Sequence, residues 1–223
     1  MGMNAVYRRA SDCPEIIPVF PLPGALLLPR GQIPLNIFEP RYIDMVDEAL
    51  RSGRVIGMIQ PDEDSSHPSM IPKLYSVGCA GRLTQFAETG DGRYLVTLVG
   101  IARFRVIEEI SELASFRQAK VTFEPYERDF IARDGEADVD RKGVLRTLRS
   151  FVDAAEIGVD WKGIDEAPNE ALVNALCMMS PFSPREKQAL LEAQDLKTRA
   201  ETLIAITEIE LARIASSSDT TMQ

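Results

Sequence analysis

Residues 18–42 read PVFPLPGALLLPRGQIPLNIFEPRY. Ile16 to Phe20 is an apolar run bounded by Pro14 and by Pro21-Leu22-Pro23-Gly24, and Ala25 to Leu28 is a second run, closed by Pro29 and Gly31. Ile33, Leu35 and Ile37 alternate with Pro34, Asn36 and Phe38, the period of two of a half-buried strand. Proline brings no N–H to a strand ladder, so prolines this frequent imply strand edges, bulges or first positions rather than a flat central sheet. Pro40 suits the first position of a helix, where the missing N–H costs nothing. Ile43, Val46, Ala49 and Leu50 then share a face, and Ser52-Gly53 ends the helix.

Beyond this block the β pattern continues. Val55 to Ile59, Ser76 to Ala87, Tyr94 to Val99, Ala102 to Ile110 and Phe116 to Phe123 read as strands. Thr89-Gly90-Asp91-Gly92 is a hairpin turn, because glycine takes positive φ without steric penalty. Pro61 to Pro72 is a polar loop bounded by prolines. Many short strands with close turns predict a small barrel or sandwich.

The second half changes period. Val144, Leu145, Leu148, Phe151, Val152 and Ala155 form an amphipathic helical stripe. Gly158 to Glu166, with the single tryptophan Trp161, reads as a loop. Pro168 opens a second helix through Cys177. Ser183-Pro184-Arg185-Glu186 is a capping box at the start of a third, which runs to Glu192. A fourth runs from about Leu196 to Ala215. The expected organisation is a disordered lead over 1–13, a β subdomain over 14–125, a linker over 126–139, a helical bundle over 140–215 and a disordered tail over 216–223.

Composition narrows the function. The chain has 223 residues and a formal net charge of −9, with one histidine and three cysteines. A lone histidine, His67, excludes a multi-histidine metal site. Cys13, Cys79 and Cys177 are scattered and form no C-x-x-C motif. The acidic balance argues against general nucleic-acid binding, which needs cations to neutralise phosphates. The charge is uneven: −2 over residues 1–125 and −7 over 126–223. No apolar run approaches membrane-spanning length, and no secretory signal is apparent, so the expectation is a cytoplasmic protein without membrane contact.

Pro18-Val-Phe-Pro-Leu-Pro-Gly24, Leu28-Pro29 and Gln32-Ile-Pro-Leu-Asn-Ile-Phe-Glu-Pro-Arg-Tyr42 together resemble the N-terminal substrate-binding domain of Lon-type ATP-dependent proteases. Gly78-Cys-Ala-Gly81, Gly100-Ile-Ala-Arg103-Phe104 and Glu186-Lys-Gln-Ala-Leu-Leu-Glu192 resemble later family signposts, in order, so the resemblance spans roughly 14–213. It implies an α+β fold: a PUA-like β-barrel with one inserted helix, then a C-terminal four-helix bundle. It also implies a domain that captures unfolded or degron-bearing polypeptide. The dipeptide Gly-Lys never occurs, so no phosphate-cradling P-loop is present in this sequence. The expectation is a stand-alone, non-enzymatic protein of this type, lacking the ATPase and peptidase domains and needing no cofactor. An adaptor docking on a full-length Lon protease or another protease partner is the alternative.

The candidate binding residues are Asn36, Phe38, Glu39, Arg41 and Tyr42. Glu39, Arg41 and Tyr42 read either as a contact surface or as a structural group, with Arg41 paired to a carboxylate and pinning the helix to the barrel. Glu39 is placed to complement the helix N-terminus. Asn36 and Phe38 either line a groove or face the bundle, and burial is the commoner fate of an aromatic. The expected peptide site is a groove between barrel and bundle, with backbone pairing at a barrel edge. His67 with Asp62, Glu63 and Asp64 reads as a solvated acidic loop, Cys79 as a buried small hydrophobe, and Cys177-Met178-Met179 as helix packing. No catalytic residue and no metal ligand is assigned.

Overall fold

The computed structural model describes residues 6–62, 72–110, 114–154 and 158–220. His67, Glu63 and Asp64 lie outside them. The chain divides into two compact units, residues 1–132 with 182–191, and residues 133–181 with 192–223.

The first unit is a six-stranded sheet with two helices. Its strands are β1 (Ile16–Pro21), β2 (Gln32–Ile37), β3 (Val55–Ile59), β4 (Val77–Glu88), β5 (Tyr94–Ile110) and β6 (Gln118–Thr122), with α1 (Pro40–Arg51) between β2 and β3. The order is β2-β5-β4-β3-β1-β6, and β5 also pairs with β6. Five strands therefore form a closed ring of pairings, while β2 hangs on β5 alone. Among the described residues the one parallel pair is β1–β3, whose crossover contains α1, as a parallel pair requires.

The interior of the ring is packed by Ile17, Val19, Val55, Ala80, Ala102, Phe104, Val121 and neighbours. Phe104 is fully buried, and the small residues around it make the room. A Cβ on Gly78 would stand 2.4 Å from its ring. Two strands expected over 94–99 and 102–110 are one long strand. Between the pairs Ala80–Ala102 and Gly81–Gly100, Ile101 is the extra residue of a bulge, which bends β5 instead of ending it.

The run Ala25–Leu28 is not a strand. Leu26, Leu27 and Leu28 are buried at 2% exposure or less, but they pack as irregular chain. Leu28 crosses so close to Gly100 that a Cβ there would meet its carbonyl oxygen at 2.0 Å. The chain rejoins the sheet through Arg30, whose φ is 63°. Arg30 N–H donates to Gly100 O, and Gly100 N–H donates to Gly31 O, each at 2.8 Å.

Residues 6–13, expected to lack structure, are placed on this unit. Tyr7 donates to Gly53 O at 3.1 Å, and Cys13 packs against the core. The stretch expected as a linker overlaps the 3-10 turn Glu124–Phe130 and contains a second, Glu136–Asp138.

The helix expected third in the bundle, α5 once its predecessors are numbered, belongs almost wholly to the sheet unit. The second unit holds α2 (Arg141–Ala154), α3 (Trp161–Glu166), α4 (Asn169–Met179) and α6 (Leu196–Thr220), and α5 is Pro184–Glu192. The loop expected around Trp161 is the short helix α3. Arg141 supplies what its sequence lacks. Its guanidinium donates to Ile164 O, Asp165 O and Ala167 O at 2.8–2.9 Å, satisfying the last carbonyls of that helix. α2 and α4 both pack on α6, where Arg199 donates to Asn174 at 3.0 Å in a buried pair. α6 continues to Thr220, through the start of the expected tail. Cys177 is buried and Met179 exposed. Among the described residues no helix is long and apolar enough to cross a membrane.

Candidate binding groove

β2 ends at Ile37, and the chain turns at Phe38 and Glu39 into α1. Glu39 takes the N-cap position with an extended backbone, and Pro40 stands at the helix start. The Glu39 carbonyl accepts from Tyr42 and Ile43 N–H at 2.9 and 3.0 Å. Its carboxylate makes no capping bond; it pairs instead with Arg41, whose Nε donates at 2.9 Å. Both side chains are about half exposed, so the pair does not pin the helix. The anchoring comes from Tyr42, Met45, Val46 and Ala49, all buried on one face, with Met45 and Val46 each contributing roughly 1.5–3 kcal/mol. Relative to the expected stripe, Tyr42 and Met45 replace Ile43 and Leu50 as the buried positions.

The Tyr42 ring packs against Phe20, centroids 4.3 Å apart, and the Arg41 guanidinium lies 4.6 Å from the Tyr42 ring centroid, a cation–π contact. Burial raises the Tyr42 phenol above its usual pKa, so it stays a neutral donor.

These residues enclose a groove of about 380 Å³. One side is Pro34 to Phe38, the other is Phe20-Pro21-Leu22-Pro23, and Glu39, Arg41 and Tyr42 complete it. All five candidate residues line it. It is built entirely within the sheet unit. Phe38 is 62% exposed, against the expectation of packing. It follows the last residue of an edge strand, where no neighbouring strand among the described residues covers it.

Among the described residues the β2 edge beside the groove has no strand partner. The Gly100–Gly31 bond and the antiparallel register Ile33–Leu98, Leu35–Val96 and Ile37–Tyr94 make these the hydrogen-bonded pairs, since such pairs alternate. The backbone groups of Gln32, Pro34 and Asn36 therefore point to the open edge. Pro34 offers a carbonyl and no N–H, which blunts the edge against indiscriminate pairing. Asn36 offers both groups. A second, more open hollow of about 380 Å³ shares Pro34, Leu35 and Asn36 and continues to Phe86 and Leu95.

The sequence reading missed the Phe20–Pro23 wall as a site. Its signal was there in the proline spacing: an apolar segment with few N–H groups. Leu22-Pro23-Gly24-Ala25 is a turn with Ala25 N–H donating to Leu22 O at 3.2 Å and Gly24 at φ 72°, the positive φ that glycine tolerates at the third position.

Cys79 is 1% exposed, and no group of three or more metal-binding side chains occurs among the described residues. Arg103 and Asp129 form a buried ion pair.

An apolar groove beside an open strand edge has the make-up of a polypeptide recognition surface. The chain belongs to the ATP-dependent protease La (LON) substrate-binding domain family, whose profile matches residues 16–208. It is 29% identical over 210 residues to Lon protease 2 of Sorangium cellulosum, covering 90% of this chain and 26% of that protein. It is 27% identical over 224 residues to the Lon protease of Dictyoglomus thermophilum, covering 94% and 26%. The chain thus spans about a quarter of the length of these relatives. Its fold is similar to the Lon N-terminal domain protein of Xanthomonas campestris, with a TM-score of 0.60, 23% identity, and coverage of 85% of this chain and 97% of that one. The N-terminal domain of the Mycobacterium avium complex Lon protease gives 0.64, 19%, 86% and 98%.

Proposed function

We propose that this protein binds exposed, extended, largely apolar polypeptide segments in the groove between β2 and the Phe20–Pro23 wall, without catalysing a reaction and without a cofactor. The observation that carries the reading is the open β2 edge, with Asn36 N–H and C=O and Pro34 C=O facing outward, directly beside an apolar groove. An incoming strand bonds to these groups, and its alternate side chains enter the groove against Phe38, Phe20 and Leu35. Burial of two or three such side chains contributes roughly 1.5–3 kcal/mol each. Ordering of the peptide offsets much of that. The balance is moderate affinity with low sequence selectivity, since backbone bonds are common to all sequences. The family's designation as a substrate-binding domain supports the reading.

The test is a fluorescence-anisotropy titration of the full chain into a labelled peptide of alternating valine and threonine with a central phenylalanine. Saturable binding that weakens in Phe38→Ala supports the reading. No saturable binding sinks it. Co-purification of a stoichiometric protease in place of client polypeptides favours the adaptor role.

A further inference from the structure

The Leu22–Ala25 turn that walls the groove is held by side chains distant in sequence. The peptide groups of Gly24 are gripped on both sides. Its N–H donates to Gln60 Oε1 at 3.0 Å, and its carbonyl accepts from Lys187 Nζ at 2.8 Å. Gln60 lies just past β3 and Lys187 lies on α5. The two are tied together, because Gln60 Nε2 donates to Pro184 O at 2.9 Å and to Gln188 Oε1 at 3.2 Å. Gln188 Nε2 in turn donates to Val77 O at 3.2 Å. Gln60, Gln188 and Lys187 are 1%, 4% and 9% exposed.

Burying an ammonium and two amides is costly unless each finds partners. Here their bonds converge on one turn and on the start of one helix. A hydrophobic α5 would pack at lower desolvation cost, yet it would leave Gly24 C=O without its bond from Lys187 and Gln60 without its bond to Gln188. Freed from them, the turn would keep its internal bond and Leu22 N–H donating to Ile59 O at 3.1 Å. Groove walls held this lightly belong to the low-stability end of a protein.

We propose that Gln60 and Lys187 are positioning residues for the groove: they hold the Leu22–Gly24 wall in its binding-competent place through Gly24, although neither lines the groove. The inference rests on the peptide-binding reading above. It makes α5 a strut for the site, which explains why this helix groups with the sheet although the chain reaches it only after α2 to α4.

The test compares Lys187→Met, Lys187→Arg and Val121→Ala in the full chain, at a temperature where all are folded, with the same valine–threonine peptide as probe. Lys187→Met is expected to weaken binding about ten-fold, the ordering of the wall now being charged to the binding step, and to speed amide exchange at Gly24 and Ala25. Lys187→Arg keeps a donor and retains most of the affinity. Val121→Ala destabilises the core away from the groove and leaves affinity unchanged. Unchanged affinity in Lys187→Met, with Phe38→Ala still defective, overturns the positioning role and spares the groove. Wild-type protein that fails to bind the probe sinks the groove reading and the positioning role with it, while the exchange rates still show whether Lys187 holds the turn.

Discussion

Asp129 accepts three hydrogen bonds from Arg103: from Nε and Nη2 at 2.8 Å and from the backbone N–H at 2.9 Å. The side chains are 5% and 7% exposed. Arg103 Nη1 donates to Leu191 O at 3.1 Å, its guanidinium lies 4.8 Å from the Tyr126 ring centroid, and Arg30 donates to Asp129 O at 2.6 Å. One ion pair thus ties β5, the 3-10 turn after β6, the Leu28–Gly31 crossing and the end of α5.

Removing one partner leaves the other charge buried and unpaired. Asp129→Ala is expected to cost about 3–5 kcal/mol. Arg103→Met with Asp129→Ala is expected to cost less than the sum of the single changes, because neither charge remains. Urea unfolding of the four proteins in a double-mutant cycle checks this; additive costs would show that the pair is not coupled.

At Gly100 the close crossing of Leu28 leaves no space for a side chain. Gly100→Ala is expected to destabilise by about 1–3 kcal/mol or more, as overpacking does. Gly53, with nothing within 4 Å of its Cβ position and no positive φ, is the control. Gly53→Ala should leave the unfolding midpoint nearly unchanged.

Phe38 and Tyr42 should separate binding from stability. Phe38→Ala removes an exposed ring and is expected to alter stability by no more than about 0.5 kcal/mol while weakening peptide binding. Tyr42→Ala empties a buried site against Phe20 and is expected to cost about 3–5 kcal/mol. Thermal unfolding and anisotropy, measured side by side, test the split; equal stability losses would refute it.

Burial pushes the thiols of Cys13 and Cys177 up to about 12. In the unfolded chain they titrate near 9. The folded state therefore holds its protons longer, and this contribution to stability, complete below pH 9, is lost as pH rises from about 9 toward 12. Lys187 has the opposite sign. Its burial lowers its pKa below 10.5, so its unfavourable charge is relieved as pH rises toward that value. Cys177→Ala is expected to flatten the alkaline fall in unfolding free energy by up to about 1.4 kcal/mol per pH unit. A slope identical to wild type would disprove the linkage. Native protein at pH 8 should also resist alkylation at Cys177, and urea should expose it.

Much of the architecture was legible because its signals are local. The β2 alternation, Pro40 at the start of α1 and the Gly90 and Gly92 turn each involve residues within a few positions. So does the Ser183–Glu186 box, where Ser183 N–H donates to the Glu186 carboxylate at 2.8 Å. The five candidate residues meet in one groove for the same reason, since they lie together in one short stretch. Ala25–Leu28 misled because apolar composition reports burial, which occurs here, and not ladder pairing, which does not. Gly100-Ile101 misled as a strand break because Ile101 forms a bulge, which bends the strand without ending it.

The primary sequence was enough to specify an α+β chain of this family, the edge character of β2 and the residues at its C-terminal end, since periodicity, proline geometry and capping act between near neighbours. Folding in three dimensions selected the rest: the exposure of Phe38, the opposite wall of the groove, the placing of α5 with the sheet, and the partners Arg103–Asp129 and Lys187–Gly24, which are 26 and 163 residues apart. Such contacts depend on which distant surfaces closure of the sheet brings within 3 Å, and no local rule encodes that.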